Sequence, residues 1–543
     1  MKNAYKTNSA LSLQDVFHKT VISFSKAVIC FLKSGYWMVP LFWGFTVVLI
    51  SPRFGGEYSA DSFAYMLLGK NIYSEFGYVS QAIRDFYLEN SGTYFQSSRS
   101  FPPLWPLIVG GLDKISVKGI TSSLIANIYV LFLVFHVYFL LCKKILPRGY
   151  WICFALLLYF IVNNDSRDSF VAEIVSGRTI PMALLLFLCV CLMLSNDELS
   201  KSKQIFLGAC LGGLYLVRFD TLFFLVFVIL FIAFKRSHWL RVVSLTCICV
   251  LLPWLIRNAF VFGQPFASDN FFTAFSTYPD IAQISWFDGA MPVWLKDPNL
   301  WAVQRTGYIL NNIKIFANLL VPFGGLFVLT ISLYSLLDAQ LPKTVKTISV
   351  LAWLWLVANL LSISLTPYND NRYFSISVFA ISFSGLLTIA SKLVPIANKD
   401  GNEDVANGNL NCSFFCFLSY FIFVVLITTP VIYFFVRSPL KLGDRNAQAY
   451  ICQYNEFKNY VEKGELVSTR LAEHLAYYSK WRTIYLPLNL PEADDSFVSW
   501  VKKLNVGYAI IPDSSKLVAH PQVVLKAHSC GVILVDLRGL RHD

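Results

Sequence analysis

Long apolar runs with almost no charge constrain this chain more than any other feature. A helix needs about 20 apolar residues to cross the hydrocarbon core of a bilayer. Ile120–Cys142, Tyr308–Leu337, Ser349–Leu365, Tyr373–Lys392 and Cys412–Val436 are the clearest such runs. Tyr36–Ser51, Tyr150–Val162, Thr179–Leu194, Ile205–Leu216, Thr221–Phe234 and Val242–Ile256 are shorter or carry a polar interruption. Lipid satisfies no free backbone groups, so the runs are expected to be helices. They predict an all-α multi-span membrane domain of about eleven transmembrane helices. Only 14% of the 543 residues are charged, against about 25% in ordinary soluble domains.

The net charge of +12 does not point to nucleic acid, because the excess sits in short loops between apolar runs. Lys143, Lys144 and Arg148 follow one run, Lys201 and Lys203 another, then Lys235, Arg236 and Arg241, then Lys343 and Lys346. Such clusters after every second span fit the positive-inside bias, with a cytoplasmic N-terminus. Residues 1–35 read as a cytoplasmic amphipathic segment and 36–436 as the membrane domain. An odd number of spans puts the tail, 437–543, outside. The long segments 52–119 and 257–307 share that face, which is expected to be the periplasmic side of a bacterial inner membrane. Short strand-like runs in the tail (Glu465–Thr469, Thr483–Leu486, Gly507–Ile511, Val532–Leu537) alternate with helical spacing over Leu471–Ser479 and Phe497–Leu504. They predict a small C-terminal α/β extracytoplasmic domain with a parallel sheet. No phosphate-binding glycine motif opens its helices. Of twelve cysteines, Cys452 and Cys530 lie in the tail, either paired in an oxidising compartment or as two free thiols.

Candidate chemistry gathers at the outer ends of spans. Asp61 opens a helical run in the first outer segment, either as a helix-end carboxylate or as a general base where water meets the membrane. Arg99 precedes the pair Pro102-Pro103. The second outer loop holds Asp165 and Asp168, then Glu173 and Arg178. Arg218 and Asp220 interrupt the run from Ile205 to Phe234, as a turn pair or as part of a site. Arg257 and Arg372 stand at two further outer ends. Arginine there runs against the charge bias and asks for a partner. Headgroup snorkelling is one answer; a phosphate gripped by planar guanidinium groups is the other.

Taken in order, these pieces resemble the type C glycosyltransferases, multi-span enzymes that use polyprenyl-phosphate sugars. The resemblance rests on Asp61 with Tyr65, on Pro102-Pro103-Leu104, on the glycine-rich run Gly208–Arg218, on Pro253-Trp254 with Arg257-Asn258 and Phe262-Gly263, and on Arg372-Tyr373. There are departures. Phe101 stands where some members place a Lys before the proline pair, and Glu57 and Asp61 are separated where members often have an adjacent acidic pair. The resemblance implies sugar transfer with inversion from a polyprenyl-phosphate donor to a lipid, glycan or protein acceptor. Asp61 would be the base. Arg99, Asp165, Asp168, Arg218, Arg257, Arg372 and Tyr373 would bind substrate. A divalent cation, if one is used, would sit among Asp61, Asp165 and Asp168. A polymerase or ligase of lipid-linked glycans, a transporter or flippase of lipid-linked sugars and a non-catalytic assembly subunit are the rival readings.

Overall fold

The computed structural model describes residues 35–51, 58–74, 76–83, 96–98, 101–115, 121–146, 150, 156–157, 160–161, 170–268, 298–365, 371–393, 447–469, 472–479, 481–486, 495–512 and 515–541. The readings made above for the N-terminal segment, Arg99, Asp165, Asp168, the run Cys412–Val436 and most of Tyr150–Val162 lie outside the described residues.

The membrane part comprises α1 (Met38–Ile50), α2 (Ala60–Ile72), α3 (Leu104–Ile115), α4 (Thr121–Ile145), α5 (Phe170–Val175), α6 (Ile180–Leu194), α7 (Lys201–Val217), α8 (Leu222–Lys235), α9 (Ser237–Phe262), α10 (Pro298–Leu320), α11 (Gly325–Leu337), α12 (Lys343–Ser364) and α13 (Ser375–Leu393). Helices α4, α9, α12 and the stretch Asn371–Lys392 are long and apolar enough to cross a membrane, and the chain is an integral membrane protein. The core runs between α4, α6 and α13, where Phe132, Phe135, Tyr138, Phe187 and Phe379 are fully buried. By contrast α9 exposes Leu245, Ile248, Leu252, Ile256 and Phe260, the apolar face that lipid covers.

The run Tyr308–Leu337, continuous in sequence, is not one straight helix. Helices α10 and α11 meet at a 97° bend. Pro322 has no backbone donor there, and Gly324 and Gly325 take φ of +100° and +54°, which only glycine adopts without strain.

The two ends of the bundle differ. At one end Lys144 reaches Asn196 Oδ1 at 2.5 Å, and Arg236 donates to the carbonyls of Asn196 and Asp197. Basic residues at the ends of α4 and α8 therefore converge on the turn after α6. At the opposite end the turn between α7 and α8 meets α12, where Ser362 Oγ donates to Asp220 O at 2.6 Å.

The tail forms α14 (Ala447–Phe457), β4 (Leu466–Thr469), α15 (Ala472–Ser479), β5 (Arg482–Tyr485), α16 (Asp495–Leu504), β6 (Val506–Pro512), β7 (Val524–Ser529) and β8 (Val532–Asp536). The first outer loop adds β1 (Val79–Ser80), β2 (Ala82–Ile83) and β3 (Gln96–Ser97). The larger sheet runs β2-β5-β4-β6-β8-β7. Its first four strands are parallel, but β8 runs antiparallel to both its neighbours, β6 and β7, a correction to the all-parallel expectation. The cause is a two-residue turn: Cys530 and Gly531 both have positive φ, 57° and 70°, the geometry that closes tight hairpins. Cys530 in that turn is disulfide-bonded to Cys452 on α14, with Cα atoms 6.2 Å apart.

Candidate active site

Helix α2 presents Asp61 because Ser59 caps it. Ser59 Oγ accepts from the Ser62 amide at 3.3 Å and lies 2.9 Å from Ser62 Oγ. A serine here satisfies one of the helix's orphan donors, so capping is not the task of Asp61. Its carboxylate instead accepts from Arg372 Nη1 at 2.9 Å, across 311 residues of sequence. Arg372 stands in a 3₁₀ turn, Asn371–Phe374, that leads into α13. Both side chains are partly open, Arg372 18% and Asp61 27% exposed.

Tyr373 joins this pair to a second arginine. The guanidinium carbons of Arg372 and Arg218 each lie 5.1 Å from its ring centroid, a cation–π arrangement. Its hydroxyl accepts from Arg372 Nη2 at 3.4 Å. Arg218 ends α7 and grips Asp220 with two hydrogen bonds, of 3.0 and 2.7 Å. The ion pair closes the turn, as the turn-pair reading expects, and it leaves Arg218 beside Tyr373. Asn359 fixes the backbone of Tyr373, donating to its carbonyl at 2.7 Å.

Arg257 has other work. It donates to Ser98 O at 2.8 Å, to Tyr78 O at 3.2 Å and to Asn258 Oδ1 at 2.9 Å. It packs against Tyr78, Trp254 and Phe262. These bonds tie α9 to the first outer loop. The structure therefore brings together Asp61, Arg218, Arg372 and Tyr373, and sets Arg257 on backbone carbonyls of that loop.

Sequence reasoning names Glu173 and Arg178 in the second outer loop but gives neither a place in the site. Arg178 Nη1 bonds Glu173 Oε1 at 2.6 Å, and its Nε donates to Ser59 Oγ at 2.7 Å. Glu173 is 1% exposed. Asn127 locks the turn between them, donating to the carbonyls of Glu173, Ile174 and Arg178. Arg178 lies close enough to Asp61 and Arg372 to feel both charges. The signal was present, since Arg178 is another arginine at the outer end of an apolar run. Tyr65, one turn after Asp61, bonds Thr179 next to Arg178. Burial first, then the Asp61 charge, raises its pKa above the usual phenol value, so it remains a neutral hydrogen-bonding group.

Among the described residues no cluster of three His, Cys, Asp or Glu side chains forms. Of Asp61, Asp165 and Asp168, Asp61 alone lies within them, and its partner is a guanidinium.

The fold is similar to that of ArnT from Cupriavidus metallidurans bound to undecaprenyl phosphate. The TM-score is 0.52 at 12% identity, over 93% of this chain and 98% of that one. It is also similar to the Archaeoglobus fulgidus oligosaccharyltransferase tethered to an acceptor peptide containing the NVT sequon, with TM-score 0.51 and 14% identity over 89% of this chain and 70% of that one. AglB from the same organism, in complex with an inhibitory peptide and a dolichol-phosphate, gives 0.51 at 13%, over 88% and 69%. No family model and no curated protein matches the sequence. At such identities the likeness is one of fold alone, shared with ArnT and the archaeal oligosaccharyltransferase.

Proposed function

We propose that this chain is a membrane glycosyltransferase that moves a sugar from a polyprenyl-phosphate donor to a hydroxyl of a lipid, glycan or protein acceptor on the outer face of the membrane. The observation that carries the proposal is the Asp61–Arg372 contact at 2.9 Å. It sets a carboxylate suited to take a proton beside a guanidinium suited to hold a phosphate, at the bundle end opposite the basic clusters. The positive-inside bias makes the basic end cytoplasmic. About eleven spans would then leave the site and the tail in the bacterial periplasm. The undecaprenyl phosphate in ArnT and the dolichol-phosphate in AglB support a lipid-phosphate donor.

In the proposed step Asp61 removes the proton from the acceptor hydroxyl. The acceptor oxygen bonds to the anomeric carbon as the bond from that carbon to the phosphate oxygen breaks. The lipid phosphate leaves with the bonding electrons, and configuration inverts. Arg372, with Arg218 nearby, meets the charge that grows on the phosphate. The charge balance suits this. Arg178, Arg218 and Arg372 are matched by Glu173, Asp220 and Asp61, so these three pairs are neutral before a donor arrives. As the leaving phosphate gains one negative charge, Asp61 loses one by taking the proton.

The test is sugar transfer in membranes holding wild-type protein, Asp61→Asn or Arg372→Ala. Asp61→Asn should lower transfer by at least the roughly 10²–10⁴-fold that a positioned proton acceptor contributes, and Arg372→Ala by the roughly 10²–10³-fold of a lost donor to developing charge, with membrane insertion unchanged. Mass spectrometry of cell-surface glycans should show one sugar missing. A normal glycan profile in an Asp61→Asn strain would remove Asp61 as the base.

A further inference from the structure

Each outer-end arginine described above has a partner, but the partners differ in kind. Glu173, which holds Arg178, is 1% exposed. Asp220 holds Arg218 through both carboxylate oxygens and is 16% exposed. Arg257 is bound to two backbone carbonyls and a neighbouring amide. These contacts close turns and join segments, and opening them would strand buried groups. Arg372 is different. Its Nη2 donates to the Tyr373 hydroxyl at 3.4 Å, and its Nη1 to one oxygen of Asp61, which at 27% exposure is the most open of the three carboxylates. An arriving phosphate would displace this contact at the least cost.

Resting on the glycosyltransferase reading, we propose that Asp61 and the donor phosphate compete for Arg372, so that donor binding itself frees the base. Before the donor arrives, the Asp61 carboxylate stands in for the phosphate oxygen on Arg372 and is partly neutralised as a proton acceptor. The donor phosphate takes the guanidinium, and Asp61 turns to the acceptor hydroxyl. Activation of the base thus waits for the donor, which suppresses acceptor deprotonation at an empty site. Arg218 cannot substitute, because Asp220 already occupies its fork. Ser59 and Arg178 hold the start of α2 during the exchange, so the carboxylate can move without the helix moving.

The consequence is opposite to that of a simple binding role. Asp61→Asn, which ends turnover, should tighten binding of undecaprenyl phosphate, because the neutral amide competes weakly for Arg372. The measurement is a titration of undecaprenyl phosphate into full-length protein in phosphatidylcholine nanodiscs, with phosphatidic acid titrated in parallel to separate recognition of a phosphate head from recognition of this lipid. The expected gain is about tenfold in Kd. It should appear also in Asp61→Ala, and vanish when either change is made in an Arg372→Ala background. Thermal melts of each variant screen for misfolding. If the wild type binds and both Asp61 variants bind equally or more weakly, the exchange is wrong and the donor site survives. If the wild type binds phosphatidic acid and undecaprenyl phosphate alike, Arg372 is a general headgroup site and the exchange has no donor to trigger it. If the wild type binds neither, the glycosyltransferase reading falls, and the exchange with it.

Discussion

Among single residues, Arg178 has the most to lose by substitution. It links a buried carboxylate, Glu173, to the cap of the helix that carries Asp61. Arg178→Ala should act twice, leaving Glu173 buried without its cation, at about 3–5 kcal/mol, and releasing Ser59. The two effects separate in the double variant Glu173→Gln/Arg178→Ala. Thermal stability should largely return, because no unpaired charge remains, while transfer stays low because the helix start is still unheld. Recovery of both would make Arg178 purely structural. Ser59→Ala alone should cost about 1 kcal/mol, the usual value of a helix cap. The sequence shows that Asp61, Arg218 and Arg372 stand at span ends, where the charge bias makes the two arginines anomalous. It does not show that Asp61 and Arg372 touch, since nothing local encodes a contact between residues 311 apart.

Helix packing decides where those residues are aimed. Helices α2 and α3 cross at Gly69 and Gly110 so closely that a Cβ on Gly110 would lie 2.2 Å from Gly69 O. Small residues at a crossing let backbones approach in this way. Gly110→Ala drives a methyl group into backbone, which cannot rotate aside, and should destabilise by about 1–3 kcal/mol, as overpacking does. It should also tilt α2 and reduce transfer. Gly44→Ala on α1 is the matched control, since a Cβ there meets nothing within 4 Å. Equal melting temperatures and equal transfer for the two variants would show that the crossing tolerates expansion. At this scale most helices were legible from apolar runs, because hydrophobic length is a local property. The bend at Gly324-Gly325 was missed because apolar composition continues through it. Strand β2 was missed because Ala82-Ile83 is too short to read as a strand, and its pairing with β5 is a long-range contact. The hairpin of β7 and β8 depends on positive φ at Cys530, which a cysteine does not advertise.

Taken whole, the molecule couples its tail to its site. The first outer loop gives strand β2 to the tail sheet, and the tail gives α15 to the packing around α2. His474 on α15 is the wedge between them. Its ring centroid lies 4.2 Å from that of Phe63 and 5.2 Å from that of Tyr450. Its Nε2–H donates to Tyr58 O at 3.1 Å, just before the cap of the Asp61 helix. Burial lowers its pKa from 6.5 to about 4, outweighing the opposing effect of the Tyr58 bond. The folded state therefore holds the neutral ring, and the unfolded state takes the proton first. Stability from this joint is complete above pH 6.5 and is lost as the pH falls toward 4, at most about 3 kcal/mol for a shift of this size. Asp536 is a separate case: burial raises its pKa, but the bonds and charge of Arg538 outweigh that and hold it below the usual carboxylate value. Its contribution goes only below the window of His474. Melting curves at pH 7, 6 and 5 should accordingly show a falling midpoint in the wild type. His474→Gln keeps an N–H that can reach Tyr58 O but cannot titrate, so its midpoint should fall less than that of the wild type over the same range. Transfer should follow the same contrast, falling in the wild type as the wedge charges and α2 loosens. A parallel fall in both proteins would place the acid sensitivity elsewhere, and the tail would then support the site without setting its pH range.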